Sequence, residues 1–156
     1  MLPIRTAEAG DLSSLMHLIR AMQREQRVAN PEGLSESLIR RALFGPAPTI
    51  RAFVIDSGVS LDGFALYQPT FSIFRAGPAM HVDAVYVRET SRNRGCARAL
   101  VGAIARECHA AGIAAISWFS ARTRDREEAM LARLGVRPHD NLRFVRAPVM
   151  TLERSL

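Results

Sequence analysis

Apolar residues recur along the chain with two different periods, and the switches between them outline a fold. "DLSSLMHLIRAM" places Leu12, Leu15, Met16, Ile19 and Met22 at helical spacing, and "LSESLIRRALF" does the same through Leu34, Leu38, Ala42 and Leu43. Asp11 stands where a cap for the first helix belongs, and Gly45 and Pro46 stop the second. "ANPEG" between them is loop chemistry, with Pro31 and Gly33 as breakers. "LPIRTA", "TIRAFVID", "GFALYQPTF" and "MHVDAVYV" read as strands, and "SGVSLDG" joins the middle two as a hairpin connection. Beyond the last of these, Ala97, Leu100, Val101, Ile104, Cys108 and Ala111 form the stripe of a helix running to about Ala111. "AAISWFS" follows as a strand, "DREEAMLARLG" as a helix ended by Gly135, and "LRFVRAPVM" as a final strand region.

The predicted order is therefore β, α, α, β, β, β, α, β, α, β. Three consecutive strands imply a meander, and the later alternation implies crossovers beside it. The expectation is a mixed-sheet α/β (α+β) fold, with residues 1–156 forming a single domain. No internal repeat, linker or low-complexity segment interrupts it.

Composition narrows the class. With 48% hydrophobic and 23% charged residues, the chain has an ordinary globular balance. "MLPIRTAEAG" lacks the apolar core of a signal peptide, and no apolar run approaches the length of a membrane span, so a cytoplasmic protein without a membrane partner is expected. The net charge is +6, all 21 basic residues are arginine, and acids are interspersed from Arg5 to Arg154. Such scatter reads as a solvated surface rather than a nucleic-acid-binding face.

Cys96 and Cys108 fall in one predicted helix, where a ~1.5 Å rise per residue puts them far beyond the ~7 Å Cα limit of a disulfide. His17, His81, His109 and His139 show no metal-ligand spacing with the cysteines, and no metal site is expected. His17 also falls off its helix's apolar stripe and reads as a surface residue.

The chemistry concentrates in "RNRGCARAL", residues 92–100, four residues after the strand "HVDAVYV". A helix starting there, fixed by its stripe to a sheet, points unpaired N–H groups and the positive end of its dipole outward, which suits an anion. Gly95 and the small Ala97 permit close approach to the backbone, and Arg92 and Arg94 add fork-shaped donors. A lysine-containing P-loop cannot exist in a lysine-free chain, and the dinucleotide pattern GxGxxG is absent.

"RNRGCA" resembles the R/Q-x-x-G-x-G/A signature of the GNAT superfamily of acyl-CoA-dependent N-acetyltransferases. "GFALYQPTFSIFRAGPAMHVDAVYV", "LIRAM", "LFGPAP" and "AGIAAISW…LARLG" look like the diamine (spermidine/spermine-type) acetyltransferase branch over nearly the whole chain. The resemblance implies a mixed central sheet of six to seven strands flanked by about four helices. It implies acetyl-CoA as acyl donor, a small-molecule or peptide amine as acceptor, direct transfer in a ternary complex, and a homodimer, which is common in that branch.

Residue by residue, the resemblance implies that the backbone of Val85, Tyr86 and Val87 holds the pantetheine arm. Arg92, Asn93, Arg94, Gly95, Cys96, Ala97 and Arg98 would form the pyrophosphate cradle; Asn93 stands where the branch commonly has glycine, and Cys96 where it has an aliphatic residue. Asp83 takes the position of the branch's strand-four glutamate. An amine of pKa ~10.4 must lose a proton before it attacks a thioester, so a carboxylate there can take that proton directly or through water, and can bind the ammonium. His81, two residues away on the same strand face by alternation, is a second candidate base. The branch's acidic helix-one segment is "MQREQRV" here, with Gln26 at one acid position and Glu25 beside it as the substrate-side carboxylate. Trp118 aligns with the branch's strand-five tryptophan, a substrate-side position, although a lone tryptophan on a strand is by itself more often core. The family's helix-four tyrosine, a general acid, is Leu131 here, and its asparagine at the start of that helix is Arg124. These departures keep open a second reading, a GNAT-fold module that binds acyl-CoA without turnover.

Overall fold

In a computed structural model of the protein, the described residues are 3–27, 34–118, 129 and 132–135. The chain divides into two compact units, residues 1–118 and 119–156. The first unit holds strands β1 (Ile4–Thr6), β2 (Arg51–Asp56), β3 (Leu61–Ser72), β4 (Gly77–Val87) and β5 (Ile116–Trp118), and helices α1 (Leu12–Gln26), α2 (Glu36–Phe44) and α3 (Cys96–Ala110).

The sheet runs in the order β1-β2-β3-β4-β5, with the first three pairings antiparallel and β4–β5 parallel. The meander and the crossover follow the sequence order, since adjacent antiparallel strands need only turns whereas a parallel neighbour needs a long connection. That connection carries α3. Five strands and three helices are the count among the described residues. The predicted strand at "LRFVRAPVM" and most of the helix at "DREEAMLARLG" lie outside them. Of that helix, Ala129, Ala132 and Arg133 are helical and the Gly135 N–H bonds the Ala132 carbonyl at 3.0 Å.

Helices cover both faces of the sheet. On one side α1 and α2 pack Leu12, Leu15, Met16, Leu18, Ile19, Ile39 and Leu43 onto Ala52, Val54, Phe64, Leu66 and Tyr86. On the other, α3 packs Cys96, Leu100, Ile104 and Cys108 onto Ile55, Ala65, Tyr67, Met80, Val82 and Val87. Each large apolar side chain so enclosed contributes roughly 1.5–3 kcal/mol relative to exposure, which secures α3 along its length.

Several local expectations are corrected. The α1 stripe uses Leu18, and Met22 is only partly buried. In α2 the Ser35 hydroxyl accepts a bond from the Leu38 N–H at 3.2 Å and starts the helix at Glu36. That turns Ile39 inward and leaves Leu38 39% exposed. In α3 the buried row begins at Cys96, and Ala111 lies exposed past the helix end. Asp11 does not cap α1 through its side chain. Its carboxylate accepts bonds from the Arg5 guanidinium at 2.7 and 2.9 Å and from the Glu8 N–H at 2.7 Å, tying β1 to the turn before α1. The β2–β3 turn is shorter than expected because β3 begins at Leu61. Both cysteines are free and buried in α3.

Candidate active site

The site is built where β4 hands over to α3. Sequence alternation treats β4 as regular, but the β3–β4 register slips: Leu66 faces Ala84 while Tyr67 faces Val82, so Asp83 is an extra residue with no partner opposite. This is a β-bulge, a device that bends a strand and re-aims its groups. Val82 packs in the α3-side core and Ala84 against the α1–α2 core. The period of two is therefore interrupted, and alternation no longer places Asp83 and His81 on one face. Asp83 is exposed; the His81 ring lies 3.3 Å from the Ser117 hydroxyl of β5. The described β4–β5 pairing covers Met80–Val82 against Ile116–Trp118, which leaves Val85, Tyr86 and Val87 beyond it, paired with β3 on their other edge.

After Val87 the chain takes a 3₁₀ turn over Glu89–Ser91, with the Arg88 N–H bonded to the Asp62 carbonyl at 2.8 Å and the Ser91 N–H to the Arg88 carbonyl at 2.9 Å. Asn93 (φ 62°) and Gly95 (φ 78°) then adopt left-handed conformations. Asn93 is thus a mild departure in backbone terms, because asparagine tolerates that region better than other non-glycine residues. A Cβ at Gly95 would meet no atom within 4 Å, so its backbone angle rather than crowding calls for glycine. Gly95 is the N-cap of α3 and has no side chain to cap with, so among the described residues no cap side chain accepts from the first N–H groups of this 15-residue helix, which can serve an anion. Arg94 and Arg98 are exposed beside them, and Ala97 is partly buried against the α3-side core. The site thus offers helix N-terminal N–H donors, a dipole end and guanidinium groups, which fits a pyrophosphate.

Cys96 serves this loop from beneath. Its thiol is buried and donates to the Ser91 carbonyl at 3.2 Å, and burial, then the nearby Asp62, push its pKa up. It is a structural thiol rather than a reactive one.

Arg92 and Glu25 are drawn together. The Arg92 Nε donates to the Val87 carbonyl at 2.9 Å, and its Nη2 donates to Glu25 Oε2 at 2.6 Å. The Tyr86 hydroxyl donates to Glu25 Oε1, also at 2.6 Å, and the guanidinium carbon lies 5.6 Å from the Tyr86 ring centroid. Burial, then this bond, raise the Tyr86 pKa. Tyr67, the other tyrosine, donates to Glu107. Both phenols are held protonated by burial and by carboxylates. Trp118 packs on the α3 side of the sheet, whereas Glu25 sits over the α1 side against Tyr86. The structure does not bring those two substrate-side candidates together. Leu131 and Arg124 lie outside the described residues.

The bulge and the Glu25–Tyr86–Arg92 arrangement are the features that sequence reasoning missed. Nothing local announces either: the bulge is a property of pairing, and Glu25 and Tyr86 lie 61 positions apart. Among the described residues no three His, Cys, Asp or Glu side chains gather into a metal-holding group. No helix there is long and apolar enough to cross a membrane.

The profile of the acetyltransferase (GNAT) family matches residues 15–136. The thialysine N-epsilon-acetyltransferase of Bos taurus is 23% identical over 128 residues, covering 74% of this chain and 75% of that one. An integron cassette protein from the mobile metagenome of Cole Harbour Salt Marsh superposes with a TM-score of 0.77 at 22% identity, over 92% of this chain and 89% of the other. The ribosomal-protein-alanine N-acetyltransferase of Brucella melitensis biovar Abortus 2308 superposes with a TM-score of 0.73 at 15% identity, over 94% and 99%. At these identities the superpositions speak for the fold.

Proposed function

The chain belongs to the GNAT acetyltransferase family, and from that premise we infer that it moves an acetyl group from acetyl-CoA to a primary amine by direct transfer in a ternary complex. One observation carries the donor half of this reading. The α3 N-terminus, which among the described residues has no side-chain cap from its N-cap Gly95 and follows the left-handed Asn93 and Gly95, stands at the end of β4 with Arg94 and Arg98 exposed beside it. Acetyl-CoA supplies an activated thioester and a pyrophosphate that those N–H groups and guanidinium forks would hold. The backbone of Val85, Tyr86 and Val87 would align the pantetheine arm as an added strand, as the family resemblance implies.

Asp83 supports the acceptor half. An exposed carboxylate at a bulge, on the strand that leads to the donor loop, can anchor an ammonium and accept the proton it gives up, directly or through one water. The reaction exchanges a C–S bond for an amide C–N bond and releases free thiol. Neither tyrosine is poised to protonate the departing thiolate, since each is committed to a glutamate. A thiol of pKa ~8.5 leaves tolerably as thiolate, so turnover does not demand a side-chain acid.

Thermal denaturation with and without acetyl-CoA tests the donor half. A ligand that binds only the folded state raises the melting temperature, by an amount set by RT ln(1 + [L]/Kd). A rise is expected; no shift at millimolar acetyl-CoA contradicts the assignment of residues 92–98.

A further inference from the structure

We propose that Glu25 acts on the donor side of the reaction, as a positioning residue that clasps the coenzyme loop through Arg92 and Tyr86, rather than as a ligand of the amine. The inference rests on the reading of residues 92–98 as the donor loop, and it reassigns a residue that the family resemblance puts on the acceptor side.

The geometry spends both oxygens of the Glu25 carboxylate within the protein. Oε1 accepts from the Tyr86 hydroxyl and Oε2 from the Arg92 guanidinium, each at 2.6 Å. Charge-assisted bonds of this length are about twice as strong as neutral ones. An incoming ammonium would have to compete with a guanidinium for the same carboxylate.

Arg92 is likewise turned back toward the protein. Its Nε bonds the Val87 carbonyl at 2.9 Å, its Nη2 bonds Glu25, and its guanidinium lies over the Tyr86 ring with 5.6 Å to the centroid. One side chain therefore grips the last residue of β4, the side chain of Tyr86 and the last turn of α1. Arg92 is also the residue at which the 3₁₀ turn ends and the left-handed turn at Asn93 begins. Fixing Arg92 fixes where that turn starts, and hence where the α3 N–H groups point.

Tyr86 anchors the clasp. Its ring is buried in the α1–α2 core, 6.0 Å from the Phe64 ring, so the hydroxyl is presented from a rigid strand. Glu25 and Arg92 are more exposed, with side-chain exposures of 44% and 26%. An ion pair at such exposure contributes little to global stability. Its effect is expected instead on the geometry of the loop that it holds.

The test measures acetyl-CoA binding by titration calorimetry on the full chain, with wild type, Glu25→Gln, Arg92→Gln and the double variant. Each single change is expected to raise the acetyl-CoA Kd about fivefold or more. The double variant should be no worse than the poorer single, because both remove the same clasp. Tyr86→Phe, which keeps the buried ring, should raise Kd by a smaller factor. An unchanged Kd in Glu25→Gln overturns the proposal, whether or not its melting temperature falls. Additive effects in the double variant also overturn it, since they would mean two independent contacts. A wild-type protein with no affinity for acetyl-CoA would remove the donor-loop reading itself, and the clasp with it.

Discussion

The Tyr67 hydroxyl on β3 donates a hydrogen bond to Glu107 in the last turn of α3, at an oxygen–oxygen distance of 2.6 Å. Glu107 is in turn paired with Arg51 of β2, and the Tyr67 ring stacks on Phe53 with centroids 5.3 Å apart. The far end of the helix that carries the proposed donor loop is thereby fastened to two strands. Burial, then the bond to Glu107, push the Tyr67 pKa well up. A phenol whose pKa is raised on folding lends stability in full below its unfolded value of ~10, and that stability is lost as pH rises above it. Tyr67→Phe is therefore expected to cost about 1–2 kcal/mol near neutral pH. The gap between wild type and variant should narrow above pH ~10 in urea titrations.

The acid limb depends on β1. Asp11 is held below the usual carboxylate range, chiefly by its bond from Arg5 and then by the Glu8 N–H. Asp56 is lowered too, first by the Gly58 N–H and then by Arg5. Depressed carboxylates stabilise above their unfolded pKa of ~3.9, and the contribution fades as pH falls through the lower folded value. Asp11→Asn should be less stable than wild type at pH 7, and the two should converge in melting temperature below pH ~4.

Gly63 of β3 sets how closely β3 approaches β4. A Cβ there would lie 2.7 Å from the Tyr86 carbonyl oxygen and 3.3 Å from the Val87 Cα. Gly63→Ala must therefore push β4 aside at the residues assigned to the pantetheine arm. A destabilisation of about 1–3 kcal/mol is expected, as for other overpacked sites. Acetyl-CoA affinity measured on the folded fraction should fall with it.

Much of this architecture was legible from periodicity, because burial on one face writes itself into the sequence as a repeat of two or of 3.6. The helices α1 and α3 and the strand β2 follow that rule, β4 follows it only as far as its bulge, and "RNRGCA" marked the turn before α3 by its glycine and its place after a strand. Features that arise from pairing were not legible. The Asp83 bulge depends on how β3 and β4 meet, and the Glu25–Tyr86–Arg92 contacts join residues far apart in the chain. Leu38 looked like a core residue until the Ser35 cap fixed the helix register.

Asp83→Asn probes the acceptor half. The variant keeps the volume at the bulge but loses the charge and the basic oxygen. Turnover should fall by roughly 10²–10⁴-fold, the usual worth of a general base, with acetyl-CoA affinity unchanged. Equal turnover in wild type and variant, read as product formed under saturating substrates, would remove Asp83 from the chemistry and turn attention to His81.

The most direct test of the whole account is thiol release from acetyl-CoA across a panel of polyamines, amino acids, aminoglycosides and peptide N-termini. The account predicts that at least one amine accelerates release, with saturation in both substrates, intersecting double-reciprocal lines and N-acetyl product equal to thiol. Release no faster than hydrolysis with every amine, in protein that binds acetyl-CoA, would contradict transfer and leave an acyl-CoA-binding module in its place.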